Sequence, residues 1–234
     1  MKLLSNSTKI NGVNIHYLDS MYKADNSLTP LIICPGLSEA AEEYEDLLAF
    51  LLPRRVIALS FRGRGQSESP PEGYDLDHHV ADIEAVVEAA GVESFHLFGN
   101  SRGVSYALEY ASKHTNRVES LLIEDYPSEH RAMAEEWPDD YINNYVIPFR
   151  RPITEGAVRG IQRESRQKQI YFQYERPVLV IRGLLEGSLI GDEDLRRYKT
   201  QFLNIQICEF AHSAHNIRGT EKVLLYETIH RFLK

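Results

Sequence analysis

The sequence predicts an α/β protein: a mostly parallel central sheet with helices on both faces and a short insertion. Three observations carry that reading. Apolar runs recur at Leu31–Cys34, Val56–Leu59, Phe95–Phe98, Leu121–Ile123, Val178–Ile181 and Ile205–Cys208. Near-continuous runs, unlike alternating ones, suit strands covered on both faces, as in parallel sheets. Helical patterns separate most of these runs: Tyr44, Leu47, Leu48 and Leu51 share one face, as do Val80, Ile83, Val87 and Ala90, and again Leu225, Ile229, Phe232 and Leu233. Alternation of strand and helix makes a sheet layered by helices. Finally, Phe95–Phe98 passes into a helical face of Val104, Ala107, Leu108 and Ala111 through only Gly99-Asn100-Ser101-Arg102-Gly103.

In chain order, Thr8 to Asp19 reads as two alternating runs about Asn11-Gly12, a pair that favours a type I′ hairpin turn; His16 sits at a strand position within it. The strand–helix rhythm runs from Leu31 to Ile123. It then breaks until Val178, across a stretch carrying Trp137, Tyr141, Tyr145, Phe149, Tyr171, Phe172 and Tyr174 and interrupted by Pro138, Pro148 and Pro152. Residues 1–125 and 177–234 are read as two parts of one core. Residues 126–176 are read as a cap inserted over the C-terminal sheet edge, where open α/β sheets bind ligands. Within the cap, Glu155 to Gln169 is expected as a helix with Arg159, Arg163 and Arg166 on a solvated side.

Composition narrows the function classes. The chain has 234 residues, 43% hydrophobic and 26% charged, enough for one sizeable core. A net charge of −8 argues against a nucleic acid or an anionic membrane as partner. The N-terminus lacks an apolar core long enough for a signal peptide, so a cytoplasmic protein acting on a small molecule is expected. Cys34 and Cys208 lie in separate apolar runs and are read as free thiols. Zinc-ligand spacing and phosphate-loop motifs are absent, and Gly63 and Gly65 do not follow the dinucleotide pattern, so neither metal nor cofactor is expected. Oligomeric state leaves no mark on the sequence.

The chemistry centres on Ser101. In G-x-S-x-G the serine occupies a strained strand-to-helix turn, the glycines removing Cβ atoms that would clash, and its hydroxyl stands above the sheet edge. A hydroxyl is a weak nucleophile at neutral pH; it needs a base, and the base needs an acid to fix its tautomer. His212 and His215 follow the strand at Ile205–Cys208 and are both candidate bases. His130 opens the insertion and is weaker, while His114 and His230 lie in helices. Glu186, the first carboxylate past Val178–Ile181, is the preferred acid, with Glu124 and Asp125 the rival position. Asp192 and Asp194 suit a helix N-terminus instead. The backbone N–H groups of Arg102 and Leu37 are the expected oxyanion-hole donors. The Arg102 side chain is read as pairing with a carboxylate such as Glu124 or Asp125, with an anionic group of the substrate the alternative. Asp77 is taken as a helix N-cap, with His78 and His79 on the surface.

On these residues the chain resembles the α/β-hydrolases over essentially its whole length. S-F-R-G-R-G-Q-S at 60–67 resembles the family's D-x-R-G-x-G-x-S loop, with Ser60 in place of Asp. P-G-L at 35–37 resembles its H-G-x oxyanion turn, with Pro35 in place of His. The resemblance implies His215 rather than His212 as base, from S-A-H-N-I-R, and implies Glu186 as acid, counted from Gly183. It also implies that a serine elbow disfavours dehalogenase and epoxide-hydrolase chemistry, which use a carboxylate there. The expectation is a serine esterase using Ser101, His215 and Glu186. A carbon–carbon hydrolase or lactonase of the same fold is the alternative, and a non-catalytic ligand-binding protein the rival of a different class.

Overall fold

The computed structural model describes residues 3–234; Met1 and Lys2, the start of the N-terminal stretch considered above, lie outside the described residues. The Asn-Gly turn opens the sheet. Strands β1 (Leu4–Ile10) and β2 (Val13–Asp19) pair antiparallel with Ile10 opposite Val13. The turn holds Asn11 at φ 50° and Gly12 at φ 86°, the left-handed pair that a type I′ turn requires. Next come β3 (Leu31–Cys34), a helical turn at Ala41–Tyr44 leading into α1 (Glu45–Phe50), β4 (Val56–Leu59), α2 (Leu76–Ala90), β5 (Phe95–Asn100), α3 (Gly103–Lys113) and β6 (Val118–Glu124). The stretch before the next sheet strand carries β7 (Glu129–His130), α4 (Trp137–Tyr141) running on into a π-helical turn at Ile142–Val146, α5 (Glu155–Glu164) and β8 (Lys168–Gln169). The chain finishes with β9 (Val178–Gly183), α6 (Asp192–Gln201), β10 (Ile205–Phe210), α7 (Ile217–Thr220) and α8 (Lys222–Phe232).

The main sheet has the order β1-β2-β4-β3-β5-β6-β9-β10. From β4 to β10 every pairing is parallel, and β2 alone runs against the others. Its interior follows from the apolar runs. In β3, Ile32 and Cys34 face the side covered by α2, α3 and α6, whereas Leu31 and Ile33 face the side covered by α1 and α8. All four are fully buried, so period-two alternation persists in geometry although both faces are apolar. The stretch between β6 and β9 has an apolar cluster of its own, Ile142, Val146, Ile153, Ala157, Val158 and Ile161, closed by Tyr74 from the core.

Two local expectations are corrected. The helix expected through Gln169 stops at Glu164: Ser165 is extended (φ −69°, ψ 133°) and its hydroxyl accepts a hydrogen bond from Arg102, while Lys168 and Gln169 pair with β7. The N-cap of α2 is Asp75, not Asp77; the Asp75 carboxylate accepts from the His78 N–H at 2.9 Å. That register turns His79 inward, fully buried, with its ring stacked on Tyr106 at 4.2 Å. Among the described residues, no helix is long and apolar enough to cross a membrane.

Candidate active site

Because β5, β6, β9 and β10 are parallel neighbours, the loops that leave them gather at one sheet edge. The first is the turn at Ser101, which adopts φ 51°, a left-handed conformation costly for a residue with a side chain. Its N–H donates to the Glu124 carbonyl at 2.9 Å, tying the turn to the end of β6. The flanking glycines are dictated by space. A Cβ on Gly99 would lie 2.6 Å from the Val104 Cα, and one on Gly103 would run into the carbonyl oxygens of Cys34 and Pro35.

The loop after β10 carries both candidate bases to this edge, and their fates differ. His212 is exposed and meets its surroundings through its backbone N–H, which donates to Glu221. His215 Nε2 lies 3.0 Å from Ser101 Oγ, and its Nδ1 lies 2.8 Å from Asp125 Oδ2. An ionised carboxylate only accepts, so Nδ1 carries the proton and Nε2 is left free to accept from the serine hydroxyl.

The carboxylate on His215 is therefore Asp125, which corrects the assignment of Glu186. Asp125 is fully buried directly past β6, at φ 46°. Besides His215 it accepts from the Ser188 hydroxyl at 2.5 Å and the Leu189 N–H at 3.0 Å. The loop after β9 turns at Gly187 (φ 98°), which brings residues 188 and 189 onto Asp125 and leaves Glu186 exposed to solvent.

Gly36 abuts Ser101: a Cβ there would stand 3.3 Å from the Ser101 Cβ. Among the described residues, neither the Leu37 nor the Arg102 N–H donates to another protein group. A cavity of about 760 Å³ opens beside Ser101 and His215, lined also by Asn100, Glu39, Glu124 and Tyr141. Glu39 holds its floor together, accepting from the Gly36 N–H (2.9 Å), Tyr44 OH (2.6 Å), Asn100 Nδ2 (2.8 Å) and Arg218 (2.5 Å). Burial works against its charge, yet Arg218 and these donors keep its carboxyl below the ordinary value. Glu39, Asn100 and Arg218 escaped sequence reasoning. Asn100 and Glu39 lie beside singled-out motifs, but only the fold brings Arg218, from α7, to them.

The Arg102 side chain turns away from this cavity, and the expected carboxylate pairing is absent. Its guanidinium is buried on the α3 side, donating to Tyr106 OH, the Arg131 carbonyl and Ser165 Oγ and meeting His130 Nε2 at 3.1 Å. Burial, then the Arg102 charge, push His130 down to about 3, so its neutral ring accepts from the guanidinium. His130 is thereby occupied far from any role as a base. Among the described residues, no group of three or more His, Cys, Asp or Glu side chains could hold a metal ion.

A doubly covered parallel sheet with serine, imidazole and carboxylate in line at its C-terminal edge defines the class. The chain belongs to the alpha/beta hydrolase fold family, whose model matches residues 29–152. It is 32% identical over 123 residues to an N-formylmaleamate deformylase of Pseudomonas putida, covering 50% of this chain and 43% of that protein. It is 29% identical over 124 residues to a bifunctional esterase/perhydrolase of Acinetobacter calcoaceticus, covering 51% and 44%. The chain thus spans less than half the length of these relatives. In fold it matches the crystal structure of E-2-(acetamidomethylene)succinate hydrolase with a TM-score of 0.76 at 17% identity, over 99% of both chains.

Proposed function

We propose that this protein is a serine hydrolase that cleaves a small-molecule ester through an acyl-enzyme, using Ser101, His215 and Asp125. The supporting observation is the line of contacts in which His215 Nε2 faces Ser101 Oγ at 3.0 Å while Nδ1 faces buried Asp125 at 2.8 Å. Ser101 Oγ attacks the carbonyl carbon as His215 takes its proton. The resulting imidazolium, steadied by Asp125, returns that proton to the leaving alcohol, and water repeats the cycle on the acyl-enzyme. The free N–H groups of Leu37 and Arg102 are assigned to the oxyanion; each such donor typically contributes about 10²–10³ in rate. Residues 126–176 act as the cap, with Tyr141 reaching over the cavity. The reading needs no metal or cofactor, takes neither nucleic acid nor membrane as partner, and puts the enzyme in the cytoplasm.

The same machinery serves an amide C–N bond. That second reading draws support from the deformylase relative, so the assay includes p-nitrophenyl esters and matched anilides. A serine-directed phosphonate is expected to label Ser101 stoichiometrically, and Ser101→Ala and His215→Ala to lose hydrolysis while melting as the wild type does. His212→Ala is expected to remain active. An unlabelled Ser101 in folded protein would favour the non-catalytic binding protein.

A further inference from the structure

Two carboxyl groups line the cavity beside Ser101, and they stand in opposite conditions. Glu39 is saturated by four donors, as described above. Glu124 is 3% exposed, and among the described residues its carboxyl makes no hydrogen bond and no ion pair. Its oxygens open onto the cavity, and a carboxyl so far withdrawn from bulk water is best held by a partner there. The partner is therefore sought in the cavity. Glu124 pairs in register with Asn100 on the neighbouring strand, and its carbonyl holds the Ser101 N–H at 2.9 Å. With strands about 4.8 Å apart, whatever meets Glu124 lies beside the group that Ser101 attacks.

The surroundings set the chemistry. Arg218, Glu39 and Asp125 are the charged groups around Glu124, with Tyr44 and Tyr226 the nearby titratable hydroxyls. Burial drives its carboxyl up to about 8; Arg218 opposes, and Glu39 and Asp125 reinforce. Arg218 is already bound to Glu39, so at neutral pH Glu124 is an uncharged acid with an O–H to donate and a C=O to accept. The other cations of the cavity are matched as well, Arg151 by Glu43 and Lys222 by Asp46, which leaves no surplus positive charge for an anion.

We propose that Glu124 determines specificity, presenting its carboxyl to an uncharged oxygen-bearing group (hydroxyl, ether or carbonyl) in the part of the substrate that fills the cavity. The inference rests on the hydrolase reading and deepens it.

The test uses two ester pairs, each differing by one CH₂-to-O exchange: p-nitrophenyl butanoate against methoxyacetate, and pentyl acetate against 2-ethoxyethyl acetate. The readout is the ratio of kcat/KM within a pair, which cancels any pH dependence the two esters share. The wild type is expected to prefer the oxygenated member of at least one pair. Glu124→Leu is expected to lower that preference about tenfold, mainly through KM, and Glu124→Gln to restore it. In the wild type the preference falls as pH rises through about 8, whereas in Glu124→Gln it does not. Should Glu124→Leu fail to fold, the wild-type and Glu124→Gln profiles carry the test.

Folding stability gives a second readout. The folded state holds a proton on Glu124 that the unfolded chain releases near pH 4.5. Wild type should therefore lose stability relative to Glu124→Gln as pH rises from 4.5 to 8. Unchanged ratios in both pairs, with Ser101 still labelled by the phosphonate, would overturn the inference alone. An unlabelled Ser101 would overturn it together with the hydrolase reading.

Discussion

The loops that follow β6 and β9 start from adjacent parallel strands at the same edge, and both carry a carboxylate within a few residues of the strand end. After β6 the carboxylate comes at once: Asp125 is the first residue past the strand, fully buried, its side chain fixed by His215, Ser188 and Leu189. After β9 the chain first makes a wide turn, Glu186 faces water, and the loop contributes donors instead of an acid. One loop supplies the charge and the other clamps it. A carboxylate adjoining a strand end needs no loop ordering to be positioned, and a short side chain loses little rotamer freedom there.

The sharpest way to break this contrast is Asp125→Asn, which keeps the shape but removes the negative charge that holds and steadies the imidazole. We expect kcat for ester hydrolysis to fall about 10⁴-fold, with phosphonate labelling of Ser101 slowed in parallel and some stability lost as the Ser188 and Leu189 donors lose their charged acceptor. A loss below tenfold would return the role of acid to the loop after β9. The clamp is tested by Ser188→Ala. A hydrogen bond to a charged group is worth about 1.5–3 kcal/mol, so chemical denaturation should show a loss of that order. The kcat should fall by much less than in Asp125→Asn, because Leu189 still holds the carboxylate.

The sequence made the scaffold legible because burial on both faces leaves unbroken apolar runs: Leu31–Cys34 and Val56–Leu59 are strands to the residue, and the other runs lie inside longer strands. Ser101 was legible because the steric demands of its turn force glycines at fixed spacing. The carboxylate was not. Which of two loops closes on His215 depends on where Gly187 turns the chain, and a glycine in a sequence does not reveal the sign of its φ. His79 was misread for a similar reason: a two-residue shift of the cap, from Asp77 to Asp75, about half a helical turn, goes with a side chain in the core instead of on the surface. The absence of a carboxylate on Arg102 was equally hidden, since apart from Tyr106 its acceptors come from residues 130, 131 and 165, remote in sequence.

The smallest expected effect isolates the comparison best. Glu186→Gln removes the charge of an exposed side chain that touches neither His215 nor Asp125. Surface substitutions away from such contacts usually stay within about 0.5 kcal/mol, so stability, kcat and KM should match the wild type. The informative measurement is the double variant with Asp125→Asn. If Glu186 can swing in as a substitute acid, the residual rate of Asp125→Asn should drop further when Glu186 is also changed. If the loop after β9 is only a clamp, the two changes combine with no such coupling. Equal residual rates in Asp125→Asn and the double variant would leave Asp125 as the sole carboxylate acting on His215; a further tenfold drop would give the second loop a catalytic part after all.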